Sequence, residues 1–272
     1  MLRLSSIRVL PFVLAAAAIA PKAHGQAEER VQRWLDDCER HWNYDRARFC
    51  EVRNYTIAPT AKITVDGREN GGVKFYAWDS REIKVVARIQ TSADNDATAA
   101  DIAKQIRVVT DGGRIHAEGP TYRSPTSWSV SYDVYVPVRT NLEAVTQNGG
   151  IAVDGVTGEM SFEATNGGIS LTDVGGDVHA RTTNGGVVAD LAGTSWQGRG
   201  LDLRTTNGGA TVNVPRGYNA MLETGTTNVG MRVDFPITVR GSLTRRISTQ
   251  LGNGGPLVRV ITTNGGVHIA ER

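Results

Sequence analysis

The chain has 272 residues, with 30 basic against 28 acidic side chains, 31 glycines, 9 prolines and 6% aromatics. A charge so nearly balanced excludes a general electrostatic pull toward nucleic acid or an anionic membrane surface. So much glycine with so few aromatics fits many tight turns between short strands, not a core built on a few large anchors.

The first residues, "MLRLSSIRVLPFVLAAAAIAPKAHGQAEER", carry Arg3 and Arg8, then an apolar run from Val9 to Ala20, then small residues at Ala23 and Gly25. This order predicts a secretory signal over residues 1–25 with cleavage near Gly25. The apolar run is too short to span a bilayer as a helix. Without Arg3, Arg8 and Lys22 the chain keeps 27 basic and 28 acidic residues. No cysteine stands at the cleavage point, so no lipid anchor is expected, and a periplasmic, secreted or cell-surface location follows.

Next comes a segment, 26–54, predicted to be helical. Val31, Trp34, Leu35 and Cys38 recur at helical spacing and share one face. Cys38 and Cys50 are the two cysteines of the chain. In an oxidising compartment they are expected to form a disulfide that staples this helix to the β region, with two free thiols or a metal site as the alternatives.

Residues 55–272 are read as one β domain. Its first part, 55–140, is irregular. "REIKVVARIQ" and "SWSVSYDVYVP" alternate like half-buried strands. Between them a helix is predicted near 92–106, with Ser92 as a possible cap. "VDGRENGGVKFYAWD" and "VTDGGRIHAEG" each place a glycine turn between strands.

From 141 onward the sequence repeats. The motif Thr-Asn-Gly-Gly and its variants place asparagines at Asn148, Asn166, Asn184, Asn207 and Asn264, and "TTNVG" adds Asn228. The first spacings are 18, and Asn228 to Asn264 is 36, which reads as two ordinary units. Aligned units keep apolar residues in register: Ile151, Ile169 and Val187, then Val153, Leu171 and Ala189. A meander of hairpins would satisfy Asn-Gly turns locally. A solenoid explains more, because stacked Thr and Asn share hydrogen bonds rung after rung, about 4.8 Å apart. Here glycine is expected to supply positive φ at each Asn-Gly-Gly corner, at Gly185 or Gly186 and at Gly167 or Gly168. Glu163, Arg181 and Arg204 fall in one outward column. The fold predicted is all-β, a parallel β-helix-like solenoid of about 18-residue rungs.

The run "VPVRTNLEAVTQNGGIAVDGVTGEMSFEATNGGISLTDVGGDVHARTTNGGVVADL" resembles the bacterial putative-adhesin family, domain of unknown function 4097. The resemblance lies in the strand ending in Val-Pro, the "LEAVTQNGGI" after it and the succession of Asn-Gly-Gly units. It implies a β-solenoid-like fold outside the cytoplasm and offers no catalytic residues to carry over.

The motifs of chemistry are weak. These glycines lie between strands, not ahead of a helix, so no phosphate cradle is expected. "VGGDVHA" matches only a fragment of a calcium-binding β-roll repeat. His116, His179 and His268 are too dispersed for a metal site, and no nucleophile elbow accompanies Ser, His and Asp. No cofactor or metal is therefore expected. The enzymatic alternative is a β-helix lyase or hydrolase acting on acidic glycans, which would need Asp154, Asp190, Asp202 and Glu223 within about 6–9 Å in a groove. Trp196, Tyr218 and Phe235 would then stack on a sugar or else shield rung ends. The favoured reading is a non-catalytic adhesin-like binding or scaffolding module. Its expected patch is Arg232, Arg240, Arg245 and Arg246 in the broken repeat, facing an acidic envelope glycan or protein.

Overall fold

The computed structural model describes residues 22–40, 46–121, 126–237 and 245–272. Helix α1 (Lys22–Arg40) runs through Gly25, and the signal residues ahead of it lie outside the described ones. A disulfide joins Cys38 to Cys50 on strand β1 (Ala47–Ile57), so the β region starts before the expected end of the helical segment at 54. There follow β2 (Lys62–Asp66), β3 (Val73–Trp78), β4 (Ile83–Ala93), α2 (Asp96–Gln105), β5 (Arg107–Val109), β6 (Arg114–Glu118) and β7 (Ser127–Pro137). The cap of α2 is Asn95, whose side chain accepts from the Thr98 N–H, and not Ser92.

The repeat region alternates strictly between two sheets. Sheet A takes β9 (Ile151–Asp154), β11 (Ile169–Thr172), β13 (Val187–Asp190) and β15 (Ala210–Val214). Sheet B takes β8 (Asn141–Thr146), β10 (Thr157–Ala164), β12 (Gly175–Thr182) and β14 (Gly200–Thr205). All these neighbours pair in parallel, with Ile151, Ile169 and Val187 in one line as the alignment expects. The stack starts earlier than the regular repeats. β2 and β3 form its first rung, pairing with β8 and β9, and Asn70 is its corner asparagine. Alternate residues of each strand point inward, and the two sheets share one apolar core. Phe162 fits there because its neighbours in the same line are Ala144 and Ala180.

At the N-terminal end, β7 extends sheet A in parallel with β3, and β4 and β1 follow it as antiparallel strands. The two helices divide the covering of this end. α2 buries Ala99, Ile102 and Ala103 in the main core, while α1 lies on the opposite face of sheet A, where Val31 packs with Val52, Val86 and Tyr135. Arg88 of β4 lies beneath the Trp34 ring of α1 and pairs with Asp133 at 3.1 Å, their side chains 15% and 4% exposed.

The Asn-Gly-Gly corner stacks through three ladders. Seven asparagines, from Asn70 through Asn148, Asn166, Asn184, Asn207 and Asn264 to Asn228, hydrogen-bond amide to amide. Two positions before five of these asparagines, the buried Thr146, Thr182, Thr205, Thr262 and Thr226 donate to a glycine carbonyl of the rung below. Ala164 holds that position in its own rung. Replacing Ala164 with Thr is therefore expected to supply the missing hydroxyl to Gly149 and raise stability by about 1 kcal/mol in urea unfolding. No gain, or a loss, would mean that the threonines fill space and nothing more.

The third ladder is of glycines, and their role differs from the expected one. Gly167, Gly168, Gly185 and Gly186 are not in the positive-φ region. Positive φ occurs in the opposite turn, at Gly155 (73°) and, without glycine, at Asp173 (49°). The first glycine of each corner is required because a Cβ there would overlap the backbone of the rung below: Gly185 onto Gly167, Gly208 onto Gly185, Gly265 onto Gly208.

The rung order also departs from the chain order. β16 (Ala220–Thr226) and β17 (Met231–Val233) form the outermost complete rung, and β18 (Arg246–Leu251) adds antiparallel to β16. The chain then crosses β16, and β19 (Leu257–Thr262) and β20 (Val267–Glu271) insert between the rung β14–β15 and the rung β16–β17. The 36 residues from Asn228 to Asn264 thus do not hold two successive rungs. Asn228 is the end of its ladder, and there the corner carries Val229, 49% exposed, in place of the first glycine.

Candidate binding face

The outer face of sheet B concentrates the charged side chains. Strand pairing stacks the outward residues into columns, because residues of the same register in parallel strands are neighbours. One column runs Glu163, Arg181, Arg204, Ile261, Gly225 and Arg246 across β10, β12, β14, β19, β16 and β18. The next runs Glu143, Ser161, His179, Asp202, Arg259 and Glu223. A third begins with Glu159 and Asp177, both bridged by Arg199 at 2.6 and 3.0 Å.

Two adjoining depressions, of about 260 and 280 Å³, open on this face and share Ser161 and His179. Ser161 is small, so the columns on either side rise above it as walls. One wall is Arg199 with Glu159 and Asp177, and the other is Arg181 and Arg204. Among the described residues, Arg181 has no ion-pair or hydrogen-bond partner for its guanidinium. Arg204 is clamped on Asp202 by two hydrogen bonds, Nε at 2.9 Å and Nη2 at 2.8 Å. Burial alone would raise the Asp202 carboxyl, but the hydrogen bond and charge of Arg204, with Arg259 behind, outweigh it and hold it below the usual aspartate range. An acid so held is a poor proton donor near neutral pH.

The four carboxylates that an enzyme would need are not gathered in one groove, although Asp202 and Glu223 share Arg259. Asp154 and Asp190 stand on sheet A, separated by the strand of Thr172, hence about 10 Å apart. Asp202 and Glu223 stand on sheet B, with Arg259 between them. Ser161 and His179 are register neighbours, yet the imidazole Nε2 engages Asp177 at 3.2 Å, not the hydroxyl. The backbone amides of this face belong to the strand ladders, so they form no oxyanion hole. Trp196 and Tyr218 are each 3% exposed, and Trp196 donates to the Gly176 carbonyl, so both shield the core. Phe235 packs against the core beside Tyr218 in a cleft of about 200 Å³ at the outer rung.

The broken-repeat arginines are distributed. Arg232 lies on sheet A beside His268 and pairs with Asp234 at 2.6 Å. Arg246 lies on sheet B over Gly225, in the column of Arg181 and Arg204. Arg245 donates to the Thr227 carbonyl at the corner, and Arg240 lies outside the described residues. His116, His179 and His268 each meet a different carboxylate. Among the described residues no group of three or more His, Cys, Asp or Glu is placed to hold a metal ion. Arg199 and Arg259 escaped the sequence reading, since their columns depend on a loop insertion and on the displaced rung.

A family model described as Toastrack DUF4097 matches residues 60–270. Comparison with curated proteins finds no match. Among solved structures, a putative cell adhesion protein from Clostridium sporogenes is similar at 12% identity, covering 82% of this chain and 100% of that chain, with TM-score 0.49. A putative adhesin from Bacteroides fragilis shares 8% identity over 82% of this chain and 97% of that one, with TM-score 0.35. A putative lipid binding protein from Parabacteroides distasonis shares 10% over 81% and 96%, with TM-score 0.31.

Proposed function

Because the chain belongs to the Toastrack DUF4097 family, we propose that it is an exported, non-catalytic binding or scaffolding module of the cell envelope, adhesin-like in role, that meets an acidic envelope glycan or protein with the outer face of sheet B. The observation that carries this reading is the pair of neighbouring arginines Arg181 and Arg204 beside the trough over Ser161, in a column that Arg246 resumes beyond Ile261 and Gly225. Arginine presents a planar fork to carboxylate or phosphate, and a rigid parallel sheet holds successive forks at fixed spacing. The signal expected over residues 1–25 and the Cys38–Cys50 disulfide support export.

The test is a variant carrying Arg181→Ala, Arg204→Ala and Arg246→Ala, checked by circular dichroism for an intact β signal. Its retention on isolated cell envelopes is then compared with that of the unaltered protein at low and moderate salt. Retention at low salt is expected to fall by about tenfold or more, and the unaltered protein's retention should itself weaken with salt. Unchanged, salt-insensitive retention by the folded variant would dispose of this face. Sheet A would then be tested through Arg232→Ala, on the opposite side.

A further inference from the structure

The inserted rung leaves a mark on the strands that flank it. β14 and β16 each carry an acid at the same register, Asp202 and Glu223, and the inserted β19 places Arg259 between them. Arg259 Nη2 lies 2.8 Å from Glu223 and Nη1 3.5 Å from Asp202. Were β14 and β16 to pair directly, the two carboxylates would be neighbours of like charge, which is unfavourable. Their corners would otherwise match, since both carry a buried threonine, Thr205 and Thr226, two residues before an asparagine. The acid pair therefore selects against closing the gap and selects a strand with arginine at its third position. Around that arginine, Val258 and Val260 reach the core, and Thr262 and Asn264 complete the corner ladders on the Gly208 carbonyl and Asn207.

The segment that fills this slot is separable. It is joined to β18 by a turn that straddles the start of β16, with Gly252, Gly254 and Gly255 at positive φ and the Asn253 N–H donating to Asn219 Oδ1 at 2.7 Å. Opening this turn would release β19 and β20 together, leaving β16 paired with β18 alone and β17 without a strand partner until another segment takes their place. The same contacts can then be made by an identical segment of another molecule.

We propose that the slot between β14–β15 and β16–β17 is a strand-exchange site whose partner is residues 257–271 of a second copy of this chain. Recognition rests on main-chain pairing on both edges, on the apolar positions and on the Asp202–Arg259–Glu223 contact. The assembly that results is a dimer with reciprocally exchanged rungs. It needs nothing from the arginine column proposed above, so either can fail alone.

Two full-length variants test it. In the first, Arg259→Glu, the chain's own segment no longer suits its slot. In the second, Asp202→Lys with Glu223→Lys, the slot no longer suits its own Arg259. Refolded together from urea at equal concentration, each is expected to supply what the other's slot accepts. The product should be a 1:1 heterodimer by light scattering and native mass spectrometry, in about tenfold excess over either homodimer. A mixture that stays as monomers, or behaves as the sum of the separate samples, overturns the proposal. Should the first variant fail to fold alone, it is refolded with a labelled peptide of residues 255–272. Uptake of one peptide per chain is expected, and about tenfold less of the R259E peptide. Absent or equal uptake of both peptides overturns it.

Discussion

Gly185→Ala is expected to destabilise the protein by about 3 kcal/mol or more, whereas Gly186→Ala, one residue on, costs about 1 kcal/mol or less. The difference does not come from φ, since neither glycine is left-handed. A methyl group on Gly185 would overlap the Gly167 carbonyl and the peptide after it, which are backbone atoms tied into the ladders. A methyl group on Gly186 meets only the Gly209 carbonyl, at 3.3 Å, where a few tenths of an ångström of movement suffices. Moving Gly167 means moving the rungs below it, so the strain cannot stay local. Urea unfolding of the two variants compares them directly, with Gly208→Ala and Gly209→Ala as a second pair. Equal losses within a pair would refute the account of close backbone approach.

Arg88→Ala should produce a loss of similar size, about 3–5 kcal/mol, because it leaves the nearly buried Asp133 carboxylate without its partner. For a chain of this length that corresponds to a fall in Tm of roughly 10 °C. The arginine also stacks on Trp34, so α1 should loosen on β1 even while the disulfide holds one end. The double variant Arg88→Met with Asp133→Leu removes both charges and should lose clearly less than the single one. If the single variant is no worse than the double, Arg88 acts as an apolar prop and the ion pair adds nothing.

The solenoid and its period were legible because the repeat is short and strict. Side-chain alternation identifies which residues face inward, and an 18-residue period requires equivalent residues to stack. The disulfide followed from compartment and number alone. Three things were not legible, each for a physical reason. Both a left-handed turn and a backbone too close for a Cβ demand glycine, and a single sequence does not separate these demands: positive φ belongs to the turn of Gly155, close approach to the Asn-Gly-Gly corner. The first rung was hidden because 78 residues separate Asn70 from Asn148, filled by β4, α2 and β7. The displaced rung was hidden because its position depends on pairing partners distant in the chain. "TTNVG" at Asn228 did signal a break, but it marked the end of a stack rather than an irregular excursion within one. On the outer face of sheet B, the column of Glu163, Arg181 and Arg204 was visible in the alignment. Its continuation to Arg246 required the true strand order.

That strand order also governs how such a protein can change in length. Both ends of the stack are closed by elements that depend on particular neighbours: α2 with the antiparallel strands at one end, the crossed β16, β18 and β19 at the other. Between Thr146 and Asn184, by contrast, each rung meets only copies of itself, and the asparagine hydrogen bonds span the same 18 residues every time. Duplication or loss of one such unit in a gene would lengthen or shorten the outer face of sheet B by about 4.8 Å and leave both closures intact. The middle of the stack is therefore where homologues are free to differ in reach, like a ruler graduated only between two fixed end pieces.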